Sequence, residues 1–535
     1  MRTEWSEEMN EKKRYIKKLA LCAGYAVFAT ICLYKAPHGI TYPVFAAATV
    51  AGLYVVMQLL GEKVKRTSIG FVVGIAALSV HVCTTGSEKL IVMDKFLLLV
   101  LFAMLVLHNL YDDRRWDVTR YVSATIKMLT SSVSFLLAFV TDGLSLRERT
   151  AKTLPTAENA TSPAPAPNLV SGSDLTEVPA EPIFFEAAPA AGVLANPSPS
   201  DGIARNVLLG LFISIPLLAI VLPLLAFSDA VFGDALNDVL NLQFDEDIFY
   251  VGLMVIGIFV ASYAVIARAA KPMESLQTPP ADARTKSPVT AITFTMVLLL
   301  VYLVYCGIQV FYLFLGEGQL PAGYTYAEYA HEGFYELVFV CLFNLVLVLL
   351  CRRNRRNHIV LQVVLTAVCA CTYVMLASSL YRMILYISAY GFTYLRAFVL
   401  WGLAAIALVM AATVALVWRD TIPFVKCALA ATVLCWVVFA FSYPDRWIAR
   451  YNLTHGCDVD YVLNDLSSDA TPVIVEIADS LEPDYGAWKT ASQAGRPYRY
   501  YVKKMETECS AGDFRNFNFS EYRARKAVEE ALARE

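Results

Sequence analysis

The sequence predicts an all-α, polytopic membrane protein of about eleven transmembrane helices, in a four-plus-seven arrangement with a small helical tail, and three observations predict it. Hydrophobic residues make up 57% of the 535 positions and charged residues only 17%, against about 25% charged in a soluble domain. Mean hydropathy is positive, at +0.52. The apolar residues gather into runs near the ~20-residue length that crosses a bilayer, and the loops between runs alternate in charge.

The first group of spans is expected near Leu19 to Tyr34, Thr41 to Leu60, Ile69 to Cys83 and Met93 to Tyr111. The second runs near Val207 to Phe227, Phe249 to Ala267, Val289 to Leu315, Phe334 to Cys351, Ile359 to Leu380, Phe398 to Trp418 and Val425 to Tyr443. The first apolar stretch follows a long charged segment without a small-residue cleavage site, so it is expected to stay as an anchor. Alternate loops hold Lys63, Lys65 and Arg66, then Arg114, Arg115 and Arg120, then Arg352, Arg353, Arg355 and Arg356, and their basic bias places them and the N-terminus in the cytoplasm. The acidic loops Ser228 to Ile248 and Gly316 to Gly333 then face outward, as does everything after Tyr443. Val122 to Val140 is apolar but contains Lys127 and a run of Ser and Thr, and a crossing there would invert every later loop. It reads instead as an amphipathic helix on the inner surface.

The domain division is thus residues 1–145 for the first membrane region with its amphipathic helix, 146–204 for a linker, 205–443 for a seven-helix core and 444–535 for the tail. The linker is dense in Pro, Ala and Ser and is expected to be a disordered cytoplasmic tether. The tail interleaves Trp447, Tyr461, Trp488, Tyr498 and Tyr501 with charges, which suits a small helical domain. Partners expected are the lipid bilayer and a protein at the tail or the linker; a net charge of −3 gives no global attraction to nucleic acid. All cysteines except Cys457 and Cys509 fall in or beside apolar segments, where a thiol behaves as a small hydrophobe. Cys457 and Cys509 can form a disulfide if the tail is outside. The sequons at Asn452 and Asn518 carry no weight, since such triplets arise by chance.

Four ordered passages resemble an uncharacterised family of bacterial membrane proteins, domain of unknown function 4173, related to 4153. They are Thr325 to Ala330 with Glu332 to Leu337; Ile215 to Leu217 with Phe227 to Phe232; Arg382, Met383, Tyr386, Tyr390, Gly391, Thr393 and Arg396; and Ile448 to Asn452 with Asp460, Tyr461, Leu466, Ser467, Asp469, Ala470 and Pro472. The resemblance implies an architecture for the plasma membrane and no activity.

Within these passages Glu328, Glu332 and Glu336 recur every four residues and line one face of a helix. Arg382 and Arg396 flank the next outer turn, with Tyr386 and Tyr390 between them and Tyr326 and Tyr329 beside the glutamates. Glu336 or Glu328 is expected to pair with Arg382 or Arg396, because an ionisable group at the end of a span favours a partner. The pair either lines an outward pocket for a small polar or anionic ligand or locks two hairpins together. Asp94 and Lys95 are expected to snorkel to the outer interface. His81 and His108 lie near opposite faces, too far apart for a shared relay.

No P-loop, HExxH, GxSxG or dinucleotide fingerprint is present, and no Cys/His spacing suits zinc, so no catalytic residue, cofactor or metal is assigned. Two classes remain: a non-enzymatic envelope protein that senses or scaffolds, and a secondary transporter or channel for a small polar or anionic solute. Transport predicts ionisable residues near the midplane and repeated halves. The spans read as poor in the first and lacking the second, which favours the envelope protein.

Overall fold

The computed structural model describes residues 2–114, 116–153, 246–271, 273, 276, 287–311, 334–354, 358–419, 421–480, 495–509 and 513–534. The fifth expected span, the linker beyond Thr153, and Tyr326, Glu328, Tyr329 and Glu332 lie outside these residues. Among the described residues every regular element is helical.

The first region comprises α1 (Arg2–Leu33), α2 (Thr41–Leu60), α3 (Ile69–Val82), α4 (Glu88–Leu110), α5 (Val118–Val133) and α6 (Ala138–Thr153). Then follow α7 (Glu246–Ala269), α8 (Val289–Gln309), α9 (Phe334–Asn354), α10 (Ile359–Tyr390), α11 (Tyr394–Trp418) and α12 (Phe424–Phe441). The tail supplies α13 (Pro444–His455), α14 (Val459–Asn464), α15 (Thr471–Ser480), α16 (Gly495–Glu508) and α17 (Phe519–Arg534). Among the described residues nine helices are long and apolar enough to cross a membrane: α1, α2, α4 and α7 to α12. The third expected span is shorter, Arg66–Val82, and begins with a single 3₁₀ turn.

Sequence signals set the helix ends. Gly61 closes α2 in the left-handed conformation at φ 77°, with its N–H and that of Glu62 returning to Gln58 and Met57. Asp117 caps α5 by accepting from the Arg120 N–H at 2.8 Å. Helices α5 and α6 meet at 60°. Along α5 the exposed Val118, Val122, Ile126, Leu129 and Val133 form an apolar stripe opposite the buried Tyr121 and Ala124. Such a stripe suits a helix lying at a membrane surface. Helix α6 continues to Thr153, so the first residues of the segment expected as linker are helical.

The chain divides into two compact units, residues 1–15 with 140–257 and residues 16–139 with 258–535. The described part of the first unit consists of the opening turns of α1, most of α6 and the first half of α7. The second contains three apolar cores. One joins α2, α3 and α4 to α12 around Leu78, Leu101, Leu105 and Trp436. Another fills the α8 to α11 bundle around Cys341, Leu365 and Met410. A third lies within the tail around Ile474, Tyr501 and Val528. The last span therefore packs with the first group of spans, although more than 300 residues separate α12 from α4 in sequence.

Candidate functional site: a buried polar junction under the tail

Where α3 ends and α4 begins, the antiparallel hairpin brings His81 to Asp94, whose Oδ2 lies 2.6 Å from His81 Nδ1. Asp94 Oδ1 accepts from Trp436 Nε1 of α12 at 2.7 Å. All three side chains are sealed from solvent. His81 Nε2 is buried with no hydrogen-bond partner, and its ring packs edge-on to Phe441 at 4.9 Å. Snorkelling is the wrong description of Asp94. Its carboxylate turns inward because an imidazole and an indole N–H are already positioned there to replace water. Lys95 differs: half-buried, it reaches His38 Nδ1 at 3.1 Å and stands over the Tyr42 ring.

Asp445 and Asp469 lie between the span ends and the tail, 2% and 1% exposed. Asp445 stands in the first turn of α13 and accepts from the Ser467 N–H at 3.2 Å. Asp469 Oδ2 accepts from Thr85 Oγ1 at 2.5 Å and from the Gly86 N–H at 3.3 Å, in the loop joining α3 to α4. Arg446 donates from Nε to the Asp469 carbonyl at 3.1 Å and lays its guanidinium 4.2 Å over Tyr443. Four polar atoms here are buried without a hydrogen-bond partner: Asp445 Oδ2, Asp469 Oδ1, Arg446 Nη2 and Tyr394 Oη. Burial, and then the neighbouring Asp469 charge, push the Asp445 carboxyl up to about 6, against the smaller opposing effects of the Ser467 N–H, Lys89 and Ser87.

A second contact clamps the tail to the α10–α11 turn. Asn452 accepts from the Phe392 N–H at 2.7 Å and donates to its carbonyl at 2.8 Å, and Tyr461 Oη accepts from the Tyr394 N–H at 2.7 Å. Gly391 sits at φ 77°, and a Cβ there would stand 2.7 Å from both Asn452 Oδ1 and Cys457 Cβ. Only glycine meets both conditions. Two passages that carry the family resemblance, one in this turn and one after the last span, thus meet in space. Arg396 donates from Nη1 to the carbonyls of Tyr390, at 3.1 Å, and Gly391, and its guanidinium stacks 4.1 Å from the Tyr386 ring. These carbonyls end α10, where a cation is favoured.

Of the residues expected to form a polar cluster, the structure brings Tyr386, Tyr390 and Arg396 together. Glu336 is exposed at the start of α9, and among the described residues no ion pair joins it to Arg382 or Arg396. Arg382 is half-buried on α10. Cys457 and Cys509 are free thiols, the first half-buried beside Gly391 and the second buried in the tail core. Burial raises the Cys509 thiol to about 11. Both sequon asparagines are buried and bonded; Asn518 donates to the Thr85 carbonyl at 2.9 Å.

The opposite end of α4 holds a separate cluster. His108 Nδ1 lies 2.9 Å from the Asp113 carboxylate, which also accepts from Lys426 Nζ at 2.8 Å and Tyr121 Oη at 2.6 Å. Thr67 meets His108 Nε2 at 2.7 Å. Burial opposes charge on Asp113, but the bonds from His108, Lys426 and Tyr121 outweigh it and hold this carboxyl well below the usual range. Lys65 donates to the carbonyls of His108 and Tyr111, so the end of α4 is capped by a cation.

Among the described residues no group of three or more His, Cys, Asp or Glu side chains is arranged to hold a metal ion. The long apolar helices and their exposed apolar side chains, such as Leu99, Leu300 and Phe339, define a polytopic α-helical membrane protein. Residues 72–477 match the family described as Domain of unknown function (DUF4153), and the chain belongs to that family. The match contains every residue of the junction, from His81 to Asp469. No curated protein and no solved structure matches the chain.

Proposed function

We propose that the protein is a non-enzymatic sensing or scaffolding component of a cell envelope, set in the plasma membrane with its N-terminus in the cytoplasm and its tail outside. The observation that supports this is the docking of the tail: Asn452, Tyr461 and Asp469 bond it to two different inter-span turns, over a carboxyl pair with unsatisfied oxygens. A force or ligand that shifts the tail is therefore felt at the ends of α3, α4, α10 and α11. Basic side chains on the opposite side, Lys65, Arg66, Arg114 and Arg120, support the orientation. Tyr326, Glu328, Tyr329, Glu332 and Glu336 are assigned to the same outer face as Arg382 and Arg396, as a ligand pocket or a lock, and a protein partner is assigned to the tail. The resemblance of the passage Thr325 to Leu337 supports a kinship with the related 4173 type.

The test is a tail-undocking variant, Asn452→Ala with Thr85→Val, in the native host. Normal membrane abundance with the envelope phenotype of a full deletion supports the reading; wild-type behaviour with a released tail refutes it. The buried His81–Asp94 pair favours a second reading, because an intramembrane ionisable pair is the usual mark of a translocation path. Proton or anion flux into proteoliposomes that disappears with Asp94→Asn selects transport instead.

A further inference from the structure

A cavity of about 470 Å3 opens among α1, α2, α4, α5 and α7, on the side of the spans away from the tail, with walls that include Cys22, Gly52, Ala103, Met128 and Ala261. Its wall hydroxyls are satisfied: Thr49 donates to the Phe45 carbonyl, Thr125 to Tyr121, Ser132 to Met128 and Ser262 to Phe259, and the Tyr25 hydroxyl meets Thr49 Oγ1 at 2.9 Å. The lining therefore presents hydrocarbon. A cavity without free polar partners does not hold ordered water, and one open to a bilayer fills with acyl chain.

The rim at the basic end is charged. Arg268, only 9% exposed, stands between the lining residues Ile266 and Ala269, donates from Nε to Ser131 Oγ at 2.7 Å and lies 6.0 Å from the Phe135 ring. Lys271 Nζ lies 5.0 Å from the same ring. Lys18 stands one helical turn before the lining residue Cys22 on α1, nearer the same end. Among the described residues no carboxylate pairs with Arg268, Lys271 or Lys18. Three cations without acidic partners at the mouth of an apolar slot match a ligand with an anionic head and a hydrocarbon tail.

We propose that this crevice binds one anionic phospholipid of the leaflet on the basic side, an acyl chain in the slot and the phosphate at Arg268, Lys271 and Lys18. The site lies apart from the tail junction and does not depend on the proposed function.

The test uses full-length protein purified in mild detergent, native mass spectrometry, and phosphatidylglycerol against phosphatidylcholine with identical chains. Wild type is expected to retain phosphatidylglycerol at least tenfold over phosphatidylcholine. Arg268→Gln with Lys271→Gln brings that ratio near one. Gly52→Phe fills the slot, since a Cβ at Gly52 meets nothing within 4 Å, and abolishes retention of both lipids. Equal retention of the two lipids by wild type overturns the proposal, as does undiminished phosphatidylglycerol in Gly52→Phe. If that variant does not accumulate, a phosphatidylglycerol with a photoreactive acyl chain decides on wild type. Crosslinks concentrated on residues 21–25, 52–57 and 99–110 support the site, and crosslinks spread evenly over the other lipid-facing helices overturn it.

Discussion

Replacing Asp445 by Asn removes a charge that the fold disfavours. The carboxyl moves from its ordinary 3.8 to about 6 on folding, and at about 1.4 kcal/mol per pH unit the ionised form costs the docked tail about 3 kcal/mol. A raised acid contributes its stability fully below pH 3.8 and loses it as pH rises through about 6. About half of this is already lost between pH 3.8 and pH 5, so wild-type tail docking is expected to be weaker at pH 8 than at pH 5 by about 1.4 kcal/mol. An amide at this position keeps the Ser467 bond through its carbonyl oxygen, so Asp445→Asn is expected to flatten this dependence and to exceed wild type at pH 8. Hydrogen exchange of residues 444–480 in protein reconstituted in nanodiscs, read at both pH values, measures the difference. Protection in wild type that rises from pH 5 to pH 8, or an Asp445→Asn variant less protected than wild type at pH 8, refutes the reasoning.

Trp436→Phe leaves Asp94 Oδ1 buried without its donor and is expected to cost about 1 to 3 kcal/mol. Trp401→Phe is the control, since Trp401 Nε1 has no hydrogen-bond partner to lose, and thermal melts in detergent compare the two. Gly391→Ala combines about 1 to 3 kcal/mol of strain in a positive-φ, extended region essentially reserved for glycine with the clash against Asn452 and Cys457, so limited proteolysis is expected to release the tail. Lys426→Met strips the buried Asp113 of one half-buried cation, at a cost of about 1 to 3 kcal/mol. Because Asp113 is held below the usual carboxylate range, its contribution is present at neutral pH and lost as pH falls below about 4; acid melts of Lys426→Met are expected to show a shallower dependence, since His108 and Tyr121 still bond the carboxylate.

The spans were legible in the sequence because twenty-residue apolar runs have no other solution in a bilayer, and the turn at Gly391 was legible as part of a resemblance. The junction was not. Asp94 beside Lys95 at the start of an apolar run looks like an interfacial residue, and only the fold supplies Trp436, far along the chain, as its donor. Asn452 was legible only as one residue of a resembling passage after the last span, and nothing local shows that its amide replaces the backbone partners of Phe392. Asp445 follows Tyr443, which adopts a left-handed φ of 51° without being glycine. That strained exit sets the direction of α13 and drives the carboxyl inward, and local sequence preference does not predict it.

Helix α4 is held at both ends by the same two neighbours. Asp94 bonds α3 through His81 and α12 through Trp436. About 21 Å further along, His108 bonds the turn before α3 through Thr67, and both His108 and Asp113 meet Lys426 of α12. Between these polar ends the contact is apolar and has no directional preference of its own. Either end alone fixes the register of α12 on α4, so losing one leaves the register intact and losing both permits sliding. Sites this far apart normally add within about 0.5 kcal/mol. Trp436→Phe combined with Lys426→Met is expected to exceed the sum of the single variants by more than that, and to expose the tail to protease although neither residue touches it. Simple additivity with a docked tail means that the two ends act independently, and that α12 does not carry movement of the tail across the membrane.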